Sequence, residues 1–281
     1  MGKLYIVGTP IGNLGDLSPR AAKVLGEVDF IAAEDTRVSR KLLSHLGLHK
    51  PMVSYYEHNL RERGEEILSR LQAGESCAIV TDAGMPCISD PGEDLVRLCA
   101  ERGIGMEVVP GPSAVIAALA VSGLPTGRFS FEGFLSVKRS SRMAHLEEIK
   151  NDRRTLIFYE APHKLCDTLD DLAGALGPRQ VSVAKELTKV HETVLRTTLD
   201  EAARYYREHP PKGEYVLVIE GAKPAKEEEG ALSFEEAVAM VRKLSASGKA
   251  MSEACREVAS LSGHKKGELY KACLLYTSRC V

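Results

Sequence analysis

The chain has 281 residues, 44% of them hydrophobic and 27% charged, an ordinary balance for a globular protein. Its 37 basic and 39 acidic residues leave a formal charge of −2, so no overall basic character announces a nucleic-acid-binding face. No apolar run is long enough to cross a bilayer, the start lacks the basic-then-apolar order of a secretory leader, and seven cysteines contain no CxxC pair. These features predict a protein of the reducing cytoplasm, with no membrane partner and no disulfide framework.

In the first half, short apolar runs at 3–7, 30–33, 52–56, 76–81 and 106–109 read as strands. Amphipathic stretches separate them. In 61–71, Ile67, Leu68 and Leu71 fall at helical spacing, and Ser18-Pro19 makes a good helix start, with serine as cap and proline in the first turn. This alternation predicts a mostly parallel sheet with helices on both faces. An apolar helix over 113–121 ends in a Gly/Pro loop at 123–127, and a domain boundary is expected near residue 122. A second set of strands follows at 129–135, 155–159, 180–184, 194–198 and 215–219. Several alternate in polarity, so the second domain, 123–222, is expected to hold a mixed sheet.

The stretch 223–232 is charged, contains proline and lacks an apolar period, which marks a linker. A small helical domain is expected over 233–273. Ser233 and Glu236 form a capping box for a helix over 234–244, and helices over 252–261 and 265–272 suggest a helix-turn-helix. The final LLYTSRCV, 274–281, continues no pattern and is read as a non-native tail, with a native ragged end as the alternative.

Three Gly/Pro loops follow strands of the first sheet: GTPIGNLGD (8–16), TDAGMPCISDPG (81–92) and VPGPSAV (109–115). None is a GxGxxG or P-loop motif. What they offer is backbone at the carboxyl ends of strands, where open α/β sheets place their ligands, and a helix start with free amides near Ser113 and Ala114. The second half adds titratable residues at strand ends: Glu160, His163, Glu186, Lys189, His191, Glu192 and Glu214. That density suits acid–base chemistry or recognition, against the plainer alternative of a surface salt-bridge belt. The histidines are not spaced as metal ligands, and no metal is expected.

Six runs in order, VGTPIGNLGDL, AAEDTRVSRKLL, TDAGMPCISDPG, VPGPSAV, FYEAPHK and KELTKVHE, carry a resemblance. The chain resembles the ribosomal RNA small subunit methyltransferase I family, cytidine 2′-O-methyltransferases of the tetrapyrrole-methylase superfamily. The resemblance runs over the chain up to the suspected tail. It implies two α/β domains with S-adenosyl-L-methionine (S-adenosylmethionine) in the cleft between them, a homodimer, and 16S rRNA in the small ribosomal subunit as the partner. The implied reaction methylates the ribose of one cytidine in the decoding region.

By the same resemblance, Pro10, Asp82, Ala83, Gly84, Ser113 and Ala114 would contact the cofactor, with Tyr159, Glu160 and Leu187 closing over it. Glu160, Glu186, Lys189 and His191 are candidates to assist proton removal, Lys189 only with a depressed pKa. Ser136, Lys164 and Lys185 depart from the family pattern, which has proline, arginine and arginine there. Lysine keeps the charge but loses the planar fork. Two other readings remain: a superfamily methylase acting on a tetrapyrrole or a protein side chain, and a non-catalytic RNA-binding assembly factor. RNA contact would need a local basic face, for which Arg37, Arg40, Lys41, Arg61, Arg63, Lys138, Arg139, Arg142 and the helical domain are candidates.

Overall fold

The computed structural model describes residues 2–224 and 232–277. These fall into two compact units, Met1–Ala222 and Lys223–Val281.

The first unit opens with β1 (Lys3–Val7), α1 (Pro19–Glu27), β2 (Phe30–Ala33), α2 (Thr36–His45) and β3 (Met52–Ser54). It continues with α3 (Leu60–Gln72), β4 (Cys77–Val80), α4 (Glu93–Glu101), β5 (Gly105–Val109) and α5 (Ala114–Ser122). Ser18 caps α1 as its residues suggest, its hydroxyl accepting from the Ala21 amide at 3.0 Å. The five strands form one sheet in the order β3-β2-β4-β1-β5, and every pairing is parallel. β2 and β4 are buried on both faces, which is why they read as continuous apolar runs. The chain leaves β1 toward β2 on one side and leaves β4 toward β5 on the other. The crevice between the carboxyl ends of β1 and β4 is therefore the switch point of the sheet.

The second sheet comes from β6 (Phe129–Phe134), α6 (Arg139–Ile149), β7 (Thr155–Glu160), α7 (Leu165–Leu176), β8 (Gln180–Lys185), β9 (Thr193–Thr198), α8 (Leu199–Glu208) and β10 (Tyr215–Ile219). Its order is β6-β7-β10-β8-β9. Only β6 and β7 run parallel, so the sheet is mixed as expected. One face packs Leu146, Leu169, Leu172 and Leu199 from its helices into a core. The other face receives α5: Val115, Ala118 and Leu119 pack with Ile157, Ala184, Val216 and Val218. The boundary drawn near residue 122 falls at the end of this helix, and both sheets lie within the one compact unit.

The second unit is a cluster of α9 (Phe234–Ala246), α10 (Met251–Ser262) and α11 (Lys266–Thr277). The expected capping box is present at Ser233 and Glu236. Val241, Cys255, Val258 and Leu269 fill its core. Most of the proposed linker, and residues 278–281, lie outside the described residues. α11 runs through to Thr277, into the stretch from 274 read as a non-native tail. No helix among the described residues is long and apolar enough to cross a membrane.

Candidate active site

The three Gly/Pro loops meet at the switch point and are tied to one another by main chain. Thr9 and Gly84 exchange both backbone hydrogen bonds, at 2.9 and 3.1 Å, and the Gly8 amide donates to the Val109 carbonyl at 3.0 Å. The Thr9 hydroxyl also donates to the carbonyl of Thr81 at 3.1 Å. Gly8 and Gly111 lie back to back: a Cβ on Gly111 would sit 2.7 Å from the Gly8 Cα. Both positions must be glycine for the loops to approach this closely.

Above these loops is a cleft of about 430 Å³, a size suited to a cofactor. Ala83, Gly84, Ser113 and Ala114 line it from the first sheet, and Tyr159, Glu160 and Leu187 from the second. Ser113 is the N-cap of α5, but its hydroxyl makes no capping bond. The Val115 amide meets the Tyr159 hydroxyl, while the other first-turn amides of α5 and the Ser113 hydroxyl keep hydrogen-bonding capacity at the cleft. Two apolar side chains of the wall are held by strained backbone. Ile88 lies between Cys87 (φ 71°) and Ser89 (φ 62°), and Leu187 between Glu186 (φ 52°) and Thr188 (φ 67°). Left-handed conformations in four non-glycine residues cost energy, and such strain gathers at functional sites.

Known proteins are similar to this chain in sequence and in fold. Residues 3–203 match the family Tetrapyrrole (Corrin/Porphyrin) Methylases. A ribosomal RNA small subunit methyltransferase I from Synechocystis is 49% identical over 275 residues, 98% of either chain. The chain belongs to the tetrapyrrole methylases, in their ribosomal RNA small subunit methyltransferase I branch. A Thermotoga maritima protein of the same name is 47% identical over 221 residues, which are 99% of its length but 79% of this chain. That is the length of the first compact unit. The uroporphyrin-III C-methyltransferase of Thermus thermophilus, solved with S-adenosylhomocysteine, shares the fold with a TM-score of 0.53 and 21% identity, covering 77% of this chain and 97% of its own.

In this methylase the cofactor residues singled out from sequence separate into two groups. Ala83, Gly84, Ser113, Ala114, Tyr159, Glu160 and Leu187 meet at the cleft. Pro10 and Asp82 are not among its lining residues. Pro10 follows the bridged Thr9, and Asp82 is turned toward the loop after β2, where it accepts from the Asp35 amide at 3.2 Å. Burial, with Glu34 and Asp35 close by, pushes the Asp82 carboxyl above its ordinary value.

The four proton-transfer candidates also divide. Glu160 lines the cleft but is 3% exposed. One carboxylate oxygen accepts from Thr168 Oγ1 at 2.5 Å and the other from the Ala161 amide at 2.8 Å. Lys189 Nζ bridges Glu186 at 2.9 Å and Glu214 at 2.7 Å. Burial alone would depress its pKa, but the hydrogen bonds to Glu214 and Glu186 outweigh burial and raise it. The depressed value a lysine base needs is therefore not what this environment produces. Lys189 instead acts as a clamp, packed so closely on the first loop that a Cβ at Gly12 would lie 2.5 Å from its Cγ. His191 is exposed and does not line the cleft.

The residue that sequence reading passes over is Asp90. It stands in the same run as Asp82, where it reads only as part of a turn. It lines the cleft, and burial, reinforced by Glu34 and Asp82, pushes its carboxyl up to about 6. The available signal is an aspartate set between apolar Ile88 and Pro91, in a loop that follows a buried strand.

Some basic residues expected to face RNA are already engaged. Arg142 pairs with Asp171 at 2.6 Å and donates to the Ser136 carbonyl, which makes it a brace between α6 and α7. Arg40, Lys41 and Arg61 are exposed.

Proposed function

We propose that this methylase transfers a methyl group from S-adenosylmethionine to the ribose 2′-hydroxyl of a cytidine in the decoding region of small-subunit ribosomal RNA. The observation that supports it best is the main-chain cleft at the switch point, in a chain that matches a ribosomal RNA small subunit methyltransferase I across 98% of its length.

The residues present fit S-adenosylmethionine. Its amino-acid end carries a carboxylate, which suits the uncapped amides of α5 and the free Ser113 hydroxyl. Ile11, Ile88 and Leu187 offer apolar surface for the nucleoside. When bound, the cofactor supplies an electrophilic methyl group on a sulfonium. The protein's part is to hold that methyl in line with the attacking oxygen, exclude water and take a proton from the hydroxyl. The strained turns at 87–89 and 186–188 serve the first task, since they fix two walls of the cleft.

The finer readings are that it acts on RNA within the small subunit, in the cytoplasm, as a homodimer. β5 is an edge strand that exposes Met106 and Val108 on one face, which favours a second copy there. The test is transfer of labelled methyl to small subunits from a strain lacking the modification, with the product nucleotide mapped. A single 2′-O-methylated cytidine is expected. Cofactor binding without transfer to any ribosomal RNA would overturn the reading.

A further inference from the structure

The cofactor cleft takes the methyl donor, and the acceptor must reach its mouth from outside. Beside the cleft lies a second, more open trough of about 700 Å³, lined among others by Glu34, Tyr56, His58, Asp94 and Arg97. Ser89 and Asp90 line both cavities, so the two share a wall. A nucleotide whose ribose stands at that junction can place its base in the trough, because sugar and base are bonded directly.

The turn after β3 buries one aromatic ring and presents the next to this trough. Tyr55 is 1% exposed, and its hydroxyl donates to Asp94 at 2.6 Å. Tyr56 is 41% exposed and meets His58 edge to face, with ring centroids 6.1 Å apart. Asn59 holds that arrangement. Its side chain accepts from the Tyr56 amide at 2.9 Å and donates to the Ser54 carbonyl at 3.0 Å, and its own amide donates to the Tyr56 carbonyl at 2.9 Å. A ring left in solvent on a turn knotted in this way adds nothing to the core, but it is a preorganised stacking platform for an unstacked base.

We propose that the trough seats the base of the target cytidine, stacked on Tyr56, with Glu34 accepting a hydrogen bond from its exocyclic amine. This rests on the function proposed above and names the residues that recognise the acceptor. Glu34 directly follows β2. Thr81 donates to one of its carboxylate oxygens at 2.7 Å, and the other oxygen has no hydrogen bond among the described residues. A carboxylate accepts from the amine of cytosine but meets the carbonyl oxygen of uracil lone pair against lone pair. Asp90 and Asp94 make the same walls acidic, and Arg97 is already paired with Glu101 at 2.7 Å. The trough therefore turns phosphate away, and the base is the part of a nucleotide that suits it.

The experiment uses small subunits assembled on transcripts with cytidine or uridine at the target position. It follows labelled methyl transfer by wild type, Tyr56→Ala, Tyr56→Phe and Glu34→Gln, and measures affinity for S-adenosylmethionine separately. Tyr56→Ala is expected to raise KM for subunits by about 10-fold or more at unchanged cofactor affinity, as loss of one stacked base should. Tyr56→Phe keeps the ring and should stay near wild type. Wild type should prefer cytidine to uridine, and Glu34→Gln should narrow that preference by about 10-fold. The ratio compares two substrates on one enzyme, so a change in cofactor affinity alone does not move it. An unchanged KM in Tyr56→Ala, or a Tyr56→Phe as impaired as Tyr56→Ala, would overturn the stacking seat. A cytidine preference equal in Glu34→Gln and wild type, or absent from wild type, would overturn the role of Glu34. A wild type that methylates neither substrate would overturn the proposed function and this proposal with it.

Discussion

Carboxylates at the cleft have opposite fates, decided by what each meets. Glu160 and Asp90 both line the cleft, yet Glu160 is saturated by Thr168 and Ala161 while Asp90 is left basic by burial and by Glu34 and Asp82. Thr168→Val keeps the shape but strands a Glu160 oxygen in the interior. It should destabilise the protein by about 1–3 kcal/mol in urea unfolding and leave cofactor affinity nearly unchanged.

Glu186 behaves in a third way. The hydrogen bond from Lys189, with lesser help from the Glu214 amide and the nearby lysine charges, holds its carboxyl below the ordinary value. A depressed acid stabilises the fold fully above its unfolded pKa, about 4.3, and loses that contribution as pH falls through the lower folded value. Lys189→Met should therefore be less stable than wild type at pH 7, and the gap should narrow toward about pH 3 when both are unfolded at each pH. None of these fates is legible in sequence, where the residues are simply acidic. They depend on partners brought in from other strands and loops.

The elements themselves are readable. All ten strands among the described residues lie where apolar runs and alternation put them, because β2 and β4 are buried on both faces while β9 is only partly covered. β3 is shorter than its apolar run, ending at Ser54, although the Tyr55 amide still donates to the Ala33 carbonyl of β2 at 2.8 Å; beyond it the chain turns away, with the Tyr55 ring buried and its hydroxyl donating to Asp94 at 2.6 Å. The glycine loops are also visible in the sequence, but not that two of them touch. Gly111→Ala puts a methyl group 2.7 Å from the Gly8 backbone, with no flexible side chain to give way. It should cost about 1–3 kcal/mol of stability and also weaken cofactor binding, measured by thermal unfolding and by titration with S-adenosylmethionine.

At the scale of the whole molecule, the first compact unit contains the entire cleft, and a relative of that length exists. A chain ending at Ala222 should fold and bind S-adenosylmethionine as the full protein does. The helical unit carries Lys243, Arg256, Lys265, Lys266 and Lys271, and its removal should weaken binding to small subunits. The logarithmic salt dependence of that binding should become shallower by about 0.7–0.9 for each phosphate that is no longer neutralised. Equal salt slopes for the two chains would show that the helices do not touch RNA.

The central position of β1 has a consequence for synthesis. The strand is made first, yet its neighbours are β4 and β5, at residues 77–80 and 105–109. At roughly 5–20 residues per second, on the order of 5–20 s pass before both of its edges can pair. Until then LYIV, at positions 4–7, is an apolar strand with two open edges. Such a stretch of nascent chain is a candidate for chaperone binding, and slowed translation before residue 109 would prolong its exposure.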